Sequence, residues 1–483
     1  MQAPLKILHV CSEVASFVKS GGLADVCDAL PRAQRALGHD VRIVLPMFGT
    51  IPADLRGTLS GPCEAGLNGQ AIAGQLQETV LPGSDVPVYL VEHAGYFERD
   101  ELYGDYEDNL ERFSFFGLAA LDGIGRTGWL PDIVHCHDWH TGGIPAYLKT
   151  RLKNDPRWFG KPSVFTIHNI AYQGAYSMDH FSSSGFDPAD DQSTPLTWKG
   201  NVNLMRAAIG AASKINTVSR TYAEEIMTSR FAHGLEAALC DRRADVSGIV
   251  NGADYGIWDP ATDDHLASSF SRDAMDGKAA CKEALQGRTG LTVCDAPLIG
   301  MVTRLVHDKG IDFVADSIDW MMDQVLQIVI LGKGDPHWEQ ALTAAAARHP
   351  GRIHIAVGYD ESLAHQIYAG ADFYLMPSHT EPCGLSQLYA MKYGTVPIVH
   401  RTGGLADTVE DATTVNLAAG NGAGIVYNHD TRPGFQNGVM RALNLYQNKQ
   451  AFAQVRQAGM AADFSWDVSA QAYIELYRSV SDV

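Results

Sequence analysis

Leu298-Ile299-Gly300-Met301-Val302-Thr303-Arg304-Leu305-Val306-His307-Asp308-Lys309-Gly310 reads as a short apolar strand that runs into a polar loop carrying two cations. Apolar runs of similar length recur at 326–331, 353–357, 373–376 and 396–399, with helical stretches between them such as the alanine-rich 338–347. Short buried strands alternating with helices predict a parallel sheet covered on both faces. Five such runs predict a Rossmann-like domain, placed over 249–462. The amino terminus starts the same pattern. An apolar run at 7–10, a glycine-containing loop at 19–22, a helical stretch over 23–37 closed by Gly38 and a second apolar run at 41–45 predict a β-α-β unit. This opens a first α/β domain over 1–248. The polar, weakly periodic segment 245–297 separates the two, with the junction near 247–252.

A chain of 483 residues is long enough for two separate cores. Its formal net charge of −19 sets it against nucleic acid and anionic membranes. A neutral polymer meets no such barrier, whereas an anionic nucleotide needs local cations. The eight cysteines are scattered and form no CxxC pair, which points to reduced thiols rather than a zinc ribbon or a disulfide framework. Lys6-Ile7-Leu8-His9-Val10 lies too near the start for a signal peptide, and no apolar stretch reaches membrane-spanning length. A soluble, cytoplasmic protein is expected.

Several segments carry residues suited to chemistry. Lys19-Ser20-Gly21-Gly22-Leu23-Ala24-Asp25 is echoed by Arg401-Thr402-Gly403-Gly404-Leu405-Ala406-Asp407, each a cation, a hydroxyl and two glycines before a helix. Such turns can bring backbone N–H groups to an anion, or can simply cap a helix beside a solvated cation. Arg304 and Lys309 follow a strand, where doubly wound sheets bind ligands; they can hold a phosphate or be surface cations. In His135-Cys136-His137-Asp138-Trp139-His140, His135 and His137 share a strand face. A metal site would need further ligands, so a strand end where Asp138 orients a sugar hydroxyl is favoured. His168, in Thr166-Ile167-His168-Asn169, is either a substrate contact or a satisfied interior histidine. Glu381, in Ser378-His379-Thr380-Glu381-Pro382-Cys383-Gly384-Leu385-Ser386, is either a helix cap or a working carboxylate with sugar hydroxyls or a cation such as Arg304 as partner. No D-x-D pair signposts a metal-bridged diphosphate.

Taken together and in order, these segments resemble the glycogen and starch synthases of glycosyltransferase family 5. The resemblance runs from Lys19–Val26 through His135–His140, Thr166–Asn169, Asn251-Gly252, Arg304, Lys309, Glu381–Leu385 and Arg401–Asp407 to Phe464-Ser465-Trp466-Asp467. It implies an α/β GT-B fold, two Rossmann-like domains facing a deep cleft, with 463–483 as a helix returning to the first domain. It implies retaining transfer of glucose from ADP-glucose to the non-reducing 4-hydroxyl of an α-1,4-glucan (glycogen), with no metal, no cofactor, no nucleic-acid or membrane partner and no particular oligomeric state. It assigns catalysis to Glu381, His168, Asp138, Arg304 and Lys309. It assigns ADP-glucose binding to Lys19, Gly21, Gly22, Asp25, Asn251, Arg304, Lys309, Tyr359, Cys383, Gly384, Leu385 and Ser386. Departures are Ser20 for the commoner threonine and His379-Thr380 where many members have Arg-Phe; Tyr389 stands where related enzymes of the fold place a second glutamate. A glucan phosphorylase, a sugar-nucleotide epimerase and a non-catalytic glucan-binding protein are the competing readings; the last would require loss of the phosphate-binding cations, and all three are present.

Overall fold

In the computed structural model, which describes residues 3–192 and 195–481, the apolar runs form two separate sheets. The chain divides into two units: Met1–Gly252 with Trp466–Val483, and Ala253–Ser465.

The first unit contains β1 (Lys6–Val10), β2 (Asp40–Pro46), β3 (Thr58–Leu67), β4 (Gln70–Val80), β5 (Pro87–Glu92), β6 (Ile133–His137) and β7 (Ser163–Ile167). A small sheet follows, of β8 (Ala175–Ser177), β9 (Thr197–Trp198) and β10 (Asn201–Asn203), and then β11 (Lys214–Thr217) and β12 (Val246–Gly248). The main sheet runs β12-β11-β7-β6-β1-β2-β5-β4-β3. It is parallel from β12 to β5 and ends in the antiparallel β3–β4 hairpin. The expected β-α-β unit is β1, the helix Gly22–Ala36 and β2, the helix starting and ending one residue earlier than read from sequence. The β3–β4 hairpin has no counterpart in the sequence reading. Its buried side chains alternate (Cys63, Ala65, Leu67), so it offers only a half-covered face instead of a continuous apolar run.

The helix Trp466–Arg478 buries Trp466, Ala470, Tyr473, Ile474 and Tyr477, a stripe at helical spacing. This stripe packs with Ile7, Val26, Leu30, Val41 and Ile133, so the last residues of the chain complete the core around its first strand.

The second unit contains β13 (Leu298–Val302), β14 (Gln327–Gly332), β15 (Ile353–Val357), β16 (Phe373–Met376), β17 (Val396–His400) and β18 (Ile425–Tyr427). All are parallel, in the order β15-β14-β13-β16-β17-β18. Alternate residues feed two cores. Ile299, Met301, Ile328, Ile330, Phe373 and Leu375 pack under the helices Ile311–Met322 and Arg432–Gln447. Leu298, Val329, Leu331, Tyr374 and Met376 pack under Asp276–Arg288 and Glu361–Gly370. The alanine-rich run is the helix Pro336–Arg348, started by proline and by Asp335, whose carboxylate accepts the His337 N–H at 2.8 Å. The strand order reverses between β13 and β16, the position at which open α/β sheets bind ligands beyond their carboxyl ends.

Gly300 sets the distance between β13 and its covering helix, because a Cβ there would stand 2.5 Å from Ile367 Cγ2 and 3.1 Å from Ala371 Cβ. Gly300→Ala is therefore expected to destabilise the second unit by about 1–3 kcal/mol through overpacking, read as a lower denaturant midpoint at unchanged slope.

Candidate active site

In the second unit the loops after β13 and β16 are clasped together. Gly310 has φ +70°, and a Cβ there would lie 2.1 Å from the Pro377 carbonyl oxygen. The His379 N–H donates to the Asp308 carbonyl at 3.0 Å. This clasp sets Lys309, in the 3₁₀ turn His307–Lys309, beside Glu381. Lys309 Nζ donates to Glu381 Oε2 at 2.6 Å, and Ser378 Oγ donates to the same oxygen at 3.1 Å. The pair is nearly out of water, with side chains 18% and 8% exposed. The cation partnering Glu381 is thus Lys309 and not Arg304. Arg304 is exposed, and its guanidinium makes no hydrogen bond or ion pair among the described residues.

The segment after Glu381 turns at Gly384 (φ +70°) into the helix Ser386–Lys392, with Cys383 buried and Gly384, Leu385 and Ser386 partly exposed. Gln387 holds the turn by donating to the Cys383 and Gly384 carbonyls at 3.1 and 2.9 Å. Tyr359, just beyond β15, is 88% exposed.

The two glycine turns, alike in sequence, differ in structure. At Gly403 and Gly404 a Cβ would sit 1.9 Å from the Glu381 carbonyl oxygen and 2.0 Å from that of Cys383, and the Gly404 N–H donates to the Glu381 carbonyl at 3.1 Å. These glycines exist to brace the Glu381 segment. At Gly21 and Gly22 a Cβ would meet nothing within 4 Å, and Gly21 is extended, so no packing inside the protein asks for glycine there. The open turn is held from below by buried Glu13, which accepts hydrogen bonds from the Ser20 N–H, from Ser20 Oγ at 2.7 Å and from Tyr103 Oη. Lys19 Nζ pairs with Asp25 at 2.7 Å on the surface. Neither Glu13 nor Tyr103 was singled out from sequence, since the contact joins positions 90 residues apart.

Asp138 follows β6 with φ +56° and ψ 179°, a backbone conformation that costs a non-glycine residue about 1–3 kcal/mol. Its carboxylate lies against the segment that follows β7. Oδ1 accepts the backbone N–H groups of His168 at 2.7 Å and Asn169 at 3.4 Å, tying the end of β6 to the end of β7. Burial pushes the Asp138 carboxyl up to about 7 against these two hydrogen bonds, and the charge of Glu13 adds to the rise.

The β1–β6 register sets His9 opposite His135, and so adds a third imidazole to the two of the His135–His140 segment that share a strand face. His9, His135 and His137 are nonetheless a hydrogen-bonded core and not a ligand set, because all six ring nitrogens have partners. Gln34 Oε1 meets His9 Nε2 at 2.7 Å, His9 Nδ1 meets His137 Nε2 at 3.1 Å, and His137 Nδ1 meets His168 Nε2 at 3.0 Å. His135 lies between Thr166 Oγ1 and Tyr477 Oη, both at 2.7 Å, and Gln34 Nε2 donates to Tyr477 Oη at 3.1 Å. Burial lowers these imidazoles, to about 4 for His9 and about 3 for His168, and each is neutral at pH 7. A neutral imidazole donates at one nitrogen and accepts at the other. With Gln34 Oε1 accepting, the protons sit on Nε2 of His9, His137 and His168 in turn, and His168 is left with an unprotonated Nδ1. Asn251 is also buried, and its Oδ1 has no hydrogen-bond partner among the described residues.

Residues 6–241 match the family described as starch synthase catalytic domain, and residues 296–443 match glycosyl transferases group 1. A glycogen synthase of Geotalea uraniireducens (strain Rf4) is 43% identical, covering 98% of both chains. One of Geotalea daltonii (strain DSM 22248 / JCM 15807 / FRC-32) is also 43% identical, covering 99% of both. The solved catalytic domain of starch synthase IV from Arabidopsis thaliana, bound to ADP and acarbose, superposes with a TM-score of 0.89 at 32% identity over 99% of each chain. A sucrose-phosphate synthase from Thermosynechococcus elongatus, at 15% identity and a TM-score of 0.59, shares the fold.

The raised Asp138 pKa has a consequence for stability. The folded state binds more protons than the unfolded one between the ordinary value of 3.8 and about 7, so this group's contribution to stability falls as pH rises through that window. Asp138→Asn keeps the Oδ1 acceptor without the buried charge. Its melting temperature relative to the parent should rise between pH 5 and pH 8; a difference that is flat or opposite in sign would refute the assignment.

Proposed function

The chain belongs to the glycogen and starch synthase family of glycosyltransferases, and on this premise we propose that it transfers glucose from ADP-glucose to the non-reducing 4-hydroxyl of an α-1,4-glucan, with retention, elongating glycogen in the cytoplasm. The observation that carries the reading is the clasp at the switch point of the second sheet. A Lys309–Glu381 pair nearly out of water stands in the two loops flanking that point, and an exposed Arg304, unpaired among the described residues, lies in the first of them. In a chain of net charge −19, an anionic donor is held only where cations are concentrated. ADP bound to the similar starch synthase supports a nucleotide-sugar donor, and adenine as its base.

In this mechanism Arg304 and Lys309 take the diphosphate and stabilise the charge that grows on it as the C1–O bond breaks. Glu381, held by Lys309 and Ser378, engages the glucosyl hydroxyls. Backbone groups of Cys383, Gly384, Leu385 and Ser386 line the donor, and exposed Tyr359 flanks the base. The acceptor hydroxyl attacks C1 from the face the phosphate leaves, and its proton passes to the departing phosphate oxygen, so the α-configuration is kept. In the first unit the open turn of Lys19, Gly21, Gly22 and Asp25 leaves room over its backbone for substrate. Asp138 and neutral His168 form a rigid corner for sugar hydroxyls, His168 presenting an acceptor at Nδ1. The Oδ1 of Asn251, without a hydrogen-bond partner among the described residues, is suited to receive a substrate hydroxyl.

Two measurements test this. Offered ADP-glucose or UDP-glucose with glycogen, the protein should release ADP at the higher rate and extend chains with α-linkages only. Preferential UDP release would overturn the donor, and a β-linked product would overturn retention. Arg304→Ala should cut kcat by about 10²–10³ with no change in melting temperature, because its guanidinium makes no hydrogen bond or ion pair among the described residues. Lys309→Ala should lose both activity and stability, the latter by about 3–5 kcal/mol, since it strands a buried carboxylate. An Arg304→Ala enzyme within a few-fold of the parent would remove Arg304 from the mechanism.

A further inference from the structure

The turn His307–Lys309 and the residues before Glu381 carry a second polar group that the proposed reaction does not use. His379 lies between two carboxylates, with Nδ1 2.6 Å from Asp430 Oδ1 and Nε2 3.0 Å from Asp312 Oδ1. His307 stacks on His379, ring centroids 4.5 Å apart and planes 18° from parallel, and its Nε2 is 4.0 Å from Asp312 Oδ2. One ligand atom from each of His307, Asp312 and His379 thus falls within 4.8 Å of the others.

From this geometry we propose that His307, Asp312 and His379 form a binding site for a divalent transition-metal ion of the zinc class, with Asp430 orienting His379. Two imidazoles and one carboxylate are a nitrogen–oxygen set that zinc takes at about 2.0–2.2 Å, with a fourth position left for water. Calcium and magnesium prefer oxygen ligands alone. Ligand atoms around a tetrahedral zinc stand about 3.3 Å apart, as follows from those bond lengths. Asp312 and His379 are already close to that spacing, and the His307 side chain, 68% exposed, can swing to meet them. A carboxylate on the far ring nitrogen of a metal-bound histidine is the usual second partner, and Asp430 occupies that place. The ion would replace the proton that His379 Nε2 shares with Asp312, and that proton leaves to solvent. The buried trio of His9, His135 and His137 has none of these properties: it is sealed, holds no carboxylate and has every nitrogen engaged. A bound ion would join the segment of Lys309 to that of Glu381, but the site stands whether or not those two residues act in transfer.

The full-length chain can be titrated with zinc against a chromophoric chelator, and separately with cobalt. One ion per chain is expected, with a cobalt spectrum free of thiolate charge transfer, which separates this site from the exposed Cys240 and Cys294. Asp430→Asn should weaken binding by about 10–100-fold, the usual effect of losing an outer carboxylate. His307→Ala, a change at an exposed side chain, and Asp312→Asn should weaken it at least as much while melting as the parent does. Absence of saturable binding, a thiolate band, or an affinity indifferent to His307→Ala and Asp312→Asn would each overturn the proposal.

Discussion

The loop after β13 can lie against the loop after β16 only because position 310 has no side chain. Its φ of +70° and the 2.1 Å that would separate a Cβ from the Pro377 carbonyl leave room for glycine alone. Everything at the carboxyl end of the second sheet depends on that approach. It brings Lys309 to Glu381, and with the Asp308 carbonyl it fixes the backbone at His379. The second glycine pair closes the same structure from the other side, Gly403 and Gly404 lying under the carbonyls of Glu381 and Cys383. Glu381 is buried, and its charge is tolerable there because Lys309 and Ser378 meet it at hydrogen-bonding distance.

The first unit reaches a rigid site by other means. There the strand ends are joined by a side chain, Asp138, which accepts the backbone N–H groups beyond β7 and holds its own backbone in a costly conformation. Behind it lies a polar core in which both ring nitrogens of His9, His135 and His137 have partners. A network satisfied at every member orients its parts as firmly as packing does. The carboxyl-terminal helix belongs to it, since Tyr477 links Gln34 to His135 and Tyr473 accepts from Asn216 at 3.0 Å. The orientation of His168 is thus set by residues from β1, β6, the first helix and the last one.

The contrast between the glycine turns separates two uses of one sequence pattern. Where a Cβ would strike the protein's own backbone, glycine serves the fold. Where it would meet nothing, as at Gly21 and Gly22, the fold gives no reason for it, and the open backbone is available to a ligand.

Much of this protein was legible without coordinates. The apolar runs of β1, β2 and β13 to β17 were placed to within a residue or so, because strands buried on both faces are continuous in hydrophobicity, and the order of motifs marked the family. The β3–β4 hairpin, β5, β8 to β12 and β18 were not placed: the hairpin has one covered face, and β8 to β12 and β18 are only two to four residues long. Sequence also located Lys309, Glu381, Asp138 and His168 as residues at strand ends. It could not pair them. That Lys309 and not Arg304 meets Glu381, that Asp138 turns inward to His168, and that His9 joins His135 and His137 are consequences of strand register and loop closure. Those bring together side chains 30 to 128 positions apart. Hydrophobic patterning is written along the chain because burial acts on each residue, whereas partners are chosen by contacts that exist only once the sheets have formed.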